Sequence, residues 1–161
     1  MTNTALQVGE MVNVYGRIDT IDGERAITEP LIVEHIGNLS EEDLPSPLAM
    51  RNGSIGGSAF NSYTPSIHNA IGLNNTGLLV KTFGEVIEVG DEYFYIDDGS
   101  ALHDWPCQFG LKVDCTGLTS PHTHDYVCVT GISATGIVQG DIHRLLRPRQ
   151  QSDIVIVRHN F

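Results

Sequence analysis

The chain has 161 residues, of which 40% are hydrophobic and 18% charged, so it is long and apolar enough to fold around a core of its own without disulfide or metal cross-links. Nine basic and twenty acidic side chains give a formal net charge of −11, which disfavours nucleic acid as a partner because that binding depends on neutralising phosphates. No apolar run has the length of a membrane span, and seventeen glycines and seven prolines favour short strands over long helices.

The first predicted elements are two strands over residues 11–36. Met11 to Tyr15 alternate in polarity as a half-buried strand does, and Asp22-Gly23 is typical of a tight turn between antiparallel strands. An apolar, β-branched stretch resumes at residues 26–36. The pattern therefore predicts a hairpin-like pair, and residues 1–36 form the first segment of the chain.

The second segment, residues 37–76, is rich in Asn, Ser, Gly and Pro and has no clear periodicity. So long an irregular stretch is either functional or wraps an adjacent surface. The isolated apolar residues of this segment predict that it packs along the rest of the fold. They are Leu48, Met50, Ile55, Phe60, Ile67 and Ile71. Three Asn-x-Ser/Thr sequences, at Asn38, Asn52 and Asn74, point towards an exported protein.

The third segment, residues 77–161, predicts a small closed barrel of five strands. The first strand, residues 78–89, is long and carries Gly84 in its middle, which permits the sharp coil that lets one strand serve both halves of a barrel. The other predicted strands cover residues 93–96, 110–115, 125–132 and 142–146, with a closing Ile/Val run at 154–157.

Three pieces of this segment together resemble the oligonucleotide/oligosaccharide-binding (OB) fold. They are the bent strand around Phe83-Gly84, the sequence Tyr-Phe-Tyr-Ile-Asp-Asp-Gly-Ser at residues 93–100, and Asp-Tyr-Val-Cys-Val-Thr-Gly at residues 125–131. The chain is similar to the tandem OB-like repeats of bacterial secreted proteins that have no assigned activity. The resemblance implies an all-β fold, a five-stranded OB-like barrel with the strand pair and the irregular segment packed on it. It also implies binding or assembly instead of catalysis, at an extracellular or cell-surface location.

The strand pair at the N-terminus echoes the barrel. Residues 9–16 match residues 124–131 by residue type, so we interpret residues 9–36 as strands four and five of a preceding OB unit whose first three strands are absent. Such a pair has unpaired edges, which recruit another strand. It either folds back on its own barrel or adds to a neighbouring copy or domain, giving a head-to-tail oligomer or filament. The candidate residues of this assembly edge are Val12, Val14, Tyr15 and Ile32.

A binding face is the alternative interpretation. OB barrels commonly bind ligands on strands two and three, and the negative charge of the chain is compatible with a glycan. If Phe94 and Ile96 fill the core, Tyr93 and Tyr95 stand outside, whereas the opposite case buries them under residues 37–76. The candidate ligand-binding residues are Tyr93, Tyr95, Trp105 and Phe109, together with Arg144 and Arg147 of the dense basic cluster that Arg149 completes.

Metal and catalytic chemistry find little support in the sequence. His122-x-His124 is the best metal candidate, but a site needs three or four converging donors, so an exposed polar loop is favoured. No Gly-x-Ser-x-Gly elbow occurs, and neither His-Asp pair has a nucleophile beside it. We therefore expect neither enzymatic activity nor a cofactor. The three cysteines at 107, 115 and 128 form either one disulfide and a free thiol or three buried thiols.

Overall fold

The structure, a computed structural model, describes residues 6–105 and 108–159, and the side chains of residues 30–32, 105 and 108 lie outside that description. Strands dominate this part of the chain, with three short 3₁₀ turns at Glu41–Asp43, Asn52–Ser54 and Gln151–Asp153. No described helix is long and apolar enough to cross a membrane. The chain forms two compact units, one comprising residues up to Ile21 with Arg25–Ser46, and the other Asp22–Glu24 with residues from Pro47 onwards.

The first unit is built on a two-stranded sheet, called the ribbon below. Its strands are β1 (Glu10–Ile21) and β2 (Glu24–Asn38), in agreement with the predicted pair. Asp22 and Gly23 connect them with φ angles of 50° and 86°. Two consecutive positive φ angles define the type I′ turn, which matches the twist of antiparallel strands.

The second unit is all-β, as predicted. Its strands in chain order are β3 (Leu48–Ala49), β4 (Leu79–Val89), β5 (Tyr93–Asp97), β6 (His103–Trp105), β7 (Gln108–Phe109), β8 (Leu111–Asp114), β9 (Tyr126–Val138), β10 (Asp141–Arg147) and β11 (Ile154–Arg158). Five of them close a ring in the order β4-β5-β8-β10-β9-β4, in which β8 and β10 are parallel and the other neighbours antiparallel. β3 extends the sheet beside β4, β11 extends it beside β9, and β6 and β7 form a separate pair.

Two glycines mark the points at which the long strands change neighbours. β4 pairs with β9 over residues 79–85 and with β5 from residue 85 onwards, as the predicted bent strand requires. A Cβ on Gly84 would lie 2.7 Å from the carbonyl oxygen of Asp97, and one on Gly131 would lie 2.7 Å from that of Arg147. Only glycine therefore lets the backbones approach closely enough to close the ring.

The core lies inside this ring and alternates along the strands. On β5, Phe94 and Ile96 are fully buried while Tyr93 and Tyr95 are partly exposed, as expected when Phe94 and Ile96 fill the core. The irregular segment contributes Ile55, which is fully buried among the strands. The other core members include Val80, Val86, Leu111, Val113, Val127, Val129 and Leu146.

Buried asparagines fasten the irregular segment to the barrel. Asn52 donates its side-chain amide to the carbonyl oxygen of Ile96 at 3.0 Å and accepts a hydrogen bond from the Thr82 hydroxyl at 2.7 Å. Asn75 accepts from the Ser133 hydroxyl at 2.6 Å in the same manner. The amide of Asn52 is thus committed inside the fold, and in this structure it is inaccessible to glycosylation although it lies in an Asn-x-Ser sequence.

Candidate functional sites

A cleft of about 260 Å³ opens on the outer face of β5, β8 and β10, beside the turn between β9 and β10. Tyr95 and Lys112 are directly opposite each other on β5 and β8 and form one wall. The lining residues are Tyr95, Asp104, Lys112, Val138, Gln139, His143 and Arg144. An aromatic ring beside a cation, a carboxylate and an amide suits a ligand that presents both hydroxyl groups and an apolar face.

The two tyrosines of the predicted face are held in a fixed arrangement. Their rings meet edge to face, with centroids 5.6 Å apart, and Lys112 Nζ lies 4.6 Å from the centre of the Tyr93 ring. Burial, assisted by the charge of Glu88, raises the pKa of Tyr95 to about 12. Tyr95 therefore remains a neutral hydrogen-bonding phenol at physiological pH.

Arg144 belongs to the interior and is not part of an exposed basic patch. Its side chain is fully buried, and Nη1 donates to Asp104 Oδ1 at 2.6 Å. Nε donates to the carbonyl oxygen of Ile55, and Nη2 donates to those of His68 and Asn69. Because these contacts tie β10 to β6 and to the irregular segment, Arg144 supports the wall of the cleft.

The predicted basic cluster is not formed as a patch, because each arginine has a carboxylate of its own. Arg147 Nη1 lies 3.2 Å from Glu24 Oε1, and the guanidinium of Arg149 donates two hydrogen bonds to Asp153, at 2.9 and 3.0 Å. Pairing with these acidic groups removes the excess positive charge that an anionic ligand would need.

Phe109 and Trp105 are the other two aromatic candidates. Phe109 is half exposed, and its ring lies against that of His103 with centroids 4.0 Å apart. Trp105 lies in β6, but its side chain is outside the described residues. The structure thus brings Tyr95 and Arg144 together at the cleft and places Phe109 against His103.

The histidine loop gives no converging donor set. His124 Nδ1 lies 2.8 Å from Glu85 Oε1, whereas the His122 side chain is 90% exposed and lies 3.8 Å from Asp125. Across residues 6–105 and 108–159, no group of three or more His, Cys, Asp or Glu side chains is arranged to hold a metal. Cys115 and Cys128 are free thiols, and Cys107 lies outside the described residues.

The ribbon exposes large apolar side chains over most of its length. Val14 and Tyr15 of the predicted assembly edge are 39% and 52% exposed, and Ile18 is 63% exposed. The side chain of Ile32, the fourth edge candidate, is outside the described residues although its backbone lies in β2. The other exposed apolar residues of the ribbon are Met11, Ile21, Ile27, Val33 and Ile36.

Val12, the remaining edge candidate, is partly buried beside an open groove of about 400 Å³ in the first unit. Leu6 and Val33 provide further apolar walls, and Glu10 provides an acidic rim. The groove is completed by His35 and Asn38. Its lining thus combines three apolar side chains with one carboxylate.

For two lining residues of the cleft, the sequence contains a pattern that indicates their position in the fold. Lys112 sits between the buried Leu111 and Val113, so alternation alone places it outside on the strand facing Tyr95. Arg144 stands in the apolar run Ile-His-Arg-Leu-Leu, where a charge requires a buried partner. Asp104 and Gln139 had no such signal, because Asp104 lies in the short strand β6 and Gln139 in the turn between β9 and β10.

Comparisons with protein-family models, with curated proteins and with solved structures found no match to this chain. The ribbon and the cleft are therefore the features that bear on its function.

Proposed function

We propose that this chain is a non-catalytic assembly module of the OB type, and that the ribbon joins it to a partner by strand addition. The observation that carries this proposal is a two-stranded sheet in which eight of the described large apolar side chains are exposed. An extracellular location, implied by the resemblance to secreted repeats, remains part of the same proposal.

Elementary energetics support a partner for the ribbon. An isolated two-stranded hairpin is marginally stable in water, because it buries too little apolar surface to offset the entropy of ordering its backbone. Both ribbon strands also have one edge without a neighbouring strand in the described part of the chain. Addition of a strand or a sheet face would satisfy those backbone groups and cover the apolar side chains together.

The barrel supports the OB assignment and the interpretation of the ribbon as part of another OB unit. Its ring order places the third and fifth strands side by side and parallel, as in the five-stranded Greek-key barrel of OB folds. The β9–β10 hairpin turns at Gln139 and Gly140 with φ angles of 53° and 95°, the same turn type as Asp22-Gly23. That hairpin is stabilised by the strands beside it, whereas no strand outside the ribbon pairs with it in the part of the chain that the structure describes.

The proposal is tested with threonine substitutions on the ribbon. Threonine keeps the β-branched shape that strands favour but removes apolar surface, so Ile18→Thr/Ile27→Thr/Ile36→Thr should retain the hairpin while weakening assembly. We expect the wild type to form larger species in sedimentation velocity and electron microscopy, and the triple variant to sediment as a monomer.

The matched control is Leu73→Thr, which removes a 90% exposed apolar side chain from a loop of the second unit. It should assemble like the wild type. Equal behaviour of the triple variant and the wild type would contradict a role for the ribbon.

A second candidate function is ligand binding in the cleft, favoured by the Tyr95–Lys112 wall. A glycan suits it better than a nucleic acid, because the chain is strongly acidic and the cleft itself contains Asp104. Glycans also use aromatic rings together with charged and amide side chains, all of which line this cleft.

Titration with glycans and with single-stranded oligonucleotides, followed by calorimetry, tests this candidate. Tyr95→Ala and Lys112→Ala should each weaken glycan binding by about tenfold, whereas Tyr63→Ala, an exposed tyrosine in a loop, should leave it unchanged. Binding that survives both cleft substitutions, or a preference for the oligonucleotides, would count against it.

A further inference from the structure

An apolar row crosses the outside of the barrel over three neighbouring strands. Phe83 of β4 and Val155 of β11 are both opposite Cys128 of β9, one on each side of it. Phe83 is 50% exposed and Val155 51%. Val157, at the irregularity in the register of β11 between Ile156 and Arg158, is 66% exposed. These four residues are called the barrel patch.

The barrel patch adjoins an open sheet edge. β11 is the last strand of the sheet and pairs with β9, so its other edge has no neighbouring strand among the described residues. Its sequence, Ile-Val-Ile-Val-Arg, combines high β propensity with low charge. Such an edge is a template on which a further strand can pair.

Two basic residues and one carboxylate lie beside the patch, whereas the charges of the ribbon are mainly acidic. Lys81 lies on the same face of β4 as Phe83, and the guanidinium of Arg158 lies 5.9 Å from the ring of Tyr126 beside the patch. The nearby carboxylate of Glu85 is engaged by His124 at 2.8 Å. The ribbon strands carry five acidic and two basic residues, namely Glu10, Asp19, Glu24, Glu29, Glu34, Arg17 and Arg25.

We infer that the ribbon's partner is the barrel patch of a second copy of this chain, which rests on the assembly function proposed above. The ribbon provides exposed apolar side chains, an excess of acidic residues and open edges, and the patch provides an apolar row, two basic neighbours and the open edge of β11. Each copy has one ribbon and one patch, so the contact is head-to-tail and can continue from copy to copy.

Mixing two full-length variants tests this pairing directly. The patch variant, Phe83→Thr/Val155→Thr/Val157→Thr, keeps an intact ribbon, and the ribbon variant, Ile18→Thr/Ile27→Thr/Ile36→Thr, keeps an intact patch. Each alone should remain a monomer. An equimolar mixture should form a heterodimer of twice the 17.6 kDa chain mass, in which the intact ribbon of the patch variant binds the intact patch of the ribbon variant. Nothing larger should form, because the remaining ribbon and the remaining patch are both mutated.

The other outcomes separate this inference from the proposed function. If the wild type assembles and the patch variant still self-associates while the ribbon variant does not, ribbons pair with one another and the patch assignment is overturned. If the mixture contains monomers only, although the wild type assembles, the head-to-tail pairing is overturned. A wild type that never assembles would overturn the proposed function itself.

A second variant tests the same contact by changing charge alone, so that the test does not depend on the folding of the patch variant. Lys81→Glu/Arg158→Glu leaves the apolar row in place and changes only exposed side chains. It should weaken the heterodimer by about tenfold or more at low ionic strength and have a smaller effect at high ionic strength. An unchanged affinity at low ionic strength would contradict the acidic ribbon as the occupant of the patch.

Discussion

Arg144 and Asp104 form an ion pair inside the second unit, with 2.6 Å between Arg144 Nη1 and Asp104 Oδ1 and both side chains at least nine-tenths buried. The residues are forty positions apart in the sequence, so the pair joins β10 to β6. Four further hydrogen bonds from Arg144 lead to Asp104 and to backbone carbonyl groups of the irregular segment. The wall of the cleft depends on this one side chain.

Removing that arginine should be strongly destabilising. Arg144→Ala leaves the Asp104 carboxylate buried without its cation, and we expect a loss of about 3–5 kcal/mol in the free energy of unfolding. Urea denaturation measures this quantity. Arg149→Ala is the control, because its ion pair with Asp153 is 41% exposed on the arginine side and should contribute about 1 kcal/mol or less. Similar losses in both variants would contradict the structural role of Arg144.

Closure of the barrel at two glycines gives a second prediction. In Gly84→Ala and Gly131→Ala the new Cβ would lie 2.7 Å from a backbone carbonyl oxygen, so each variant should lose about 1–3 kcal/mol of unfolding free energy. Gly136→Ala, also on β9, is the matched control. Its Cβ would have Leu145 Cδ2 as its nearest neighbour at 4.0 Å, and we expect a change within about 0.5 kcal/mol. Thermal unfolding measures the stability of the three variants. Equal stability of all three would contradict the close backbone approaches at Gly84 and Gly131.

Tyr95 should be recognisable because it titrates at a higher pH than an ordinary tyrosine. Burial raises its pKa to about 12, so tyrosinate absorbance should contain a component near that pH which disappears in Tyr95→Phe but not in Tyr63→Phe. The folded state favours the neutral phenol more than the unfolded state does. Stability should therefore fall as the pH rises from about 10 to about 12, and by less in Tyr95→Phe. A late component that persists in Tyr95→Phe would disprove the assignment.

Asp125 gives a prediction for the stability of the protein at acidic pH. A hydrogen bond from the backbone N–H of His122 and another contact, with His159, lower the pKa of this carboxyl group. A lowered folded-state pKa adds stability that is present above the unfolded value of about 3.9 and is lost as the pH falls through the folded value. The stability difference between the wild type and Asp125→Asn should therefore shrink below about pH 4. The exposed turn residue Asp91 provides a control, Asp91→Asn, whose difference from the wild type should change less.

Local patterns predicted the strands well, because alternation and turn chemistry act over a few residues. Alternation at residues 93–96 left open which face of that strand is buried, and the structure buries Phe94 and Ile96. Gly84 indicated where the first barrel strand bends. The fourth barrel strand was predicted only to residue 132, although β9 continues to Val138. Its continuation contains small side chains buried on consecutive positions, Ser133 to Thr135, so no alternation marks it.

The cleft was harder to predict, because its members come from five strands and the turn between β9 and β10. Arg144, Arg147 and Arg149 lie close together in the sequence and suggested one basic surface. Their actual surroundings depend on carboxylates at Asp104, Glu24 and Asp153, which reach them through tertiary structure. Charge patterning along one segment cannot reveal partners that are brought close by the closure of a barrel.

Sedimentation velocity of the wild-type chain over a wide concentration range shows whether the chain assembles through its ribbon. We predict that the weight-average sedimentation coefficient rises with concentration, as head-to-tail contacts between ribbon and barrel patch form. A single species at the 17.6 kDa monomer mass at every concentration would contradict the claim that the exposed ribbon is an assembly surface.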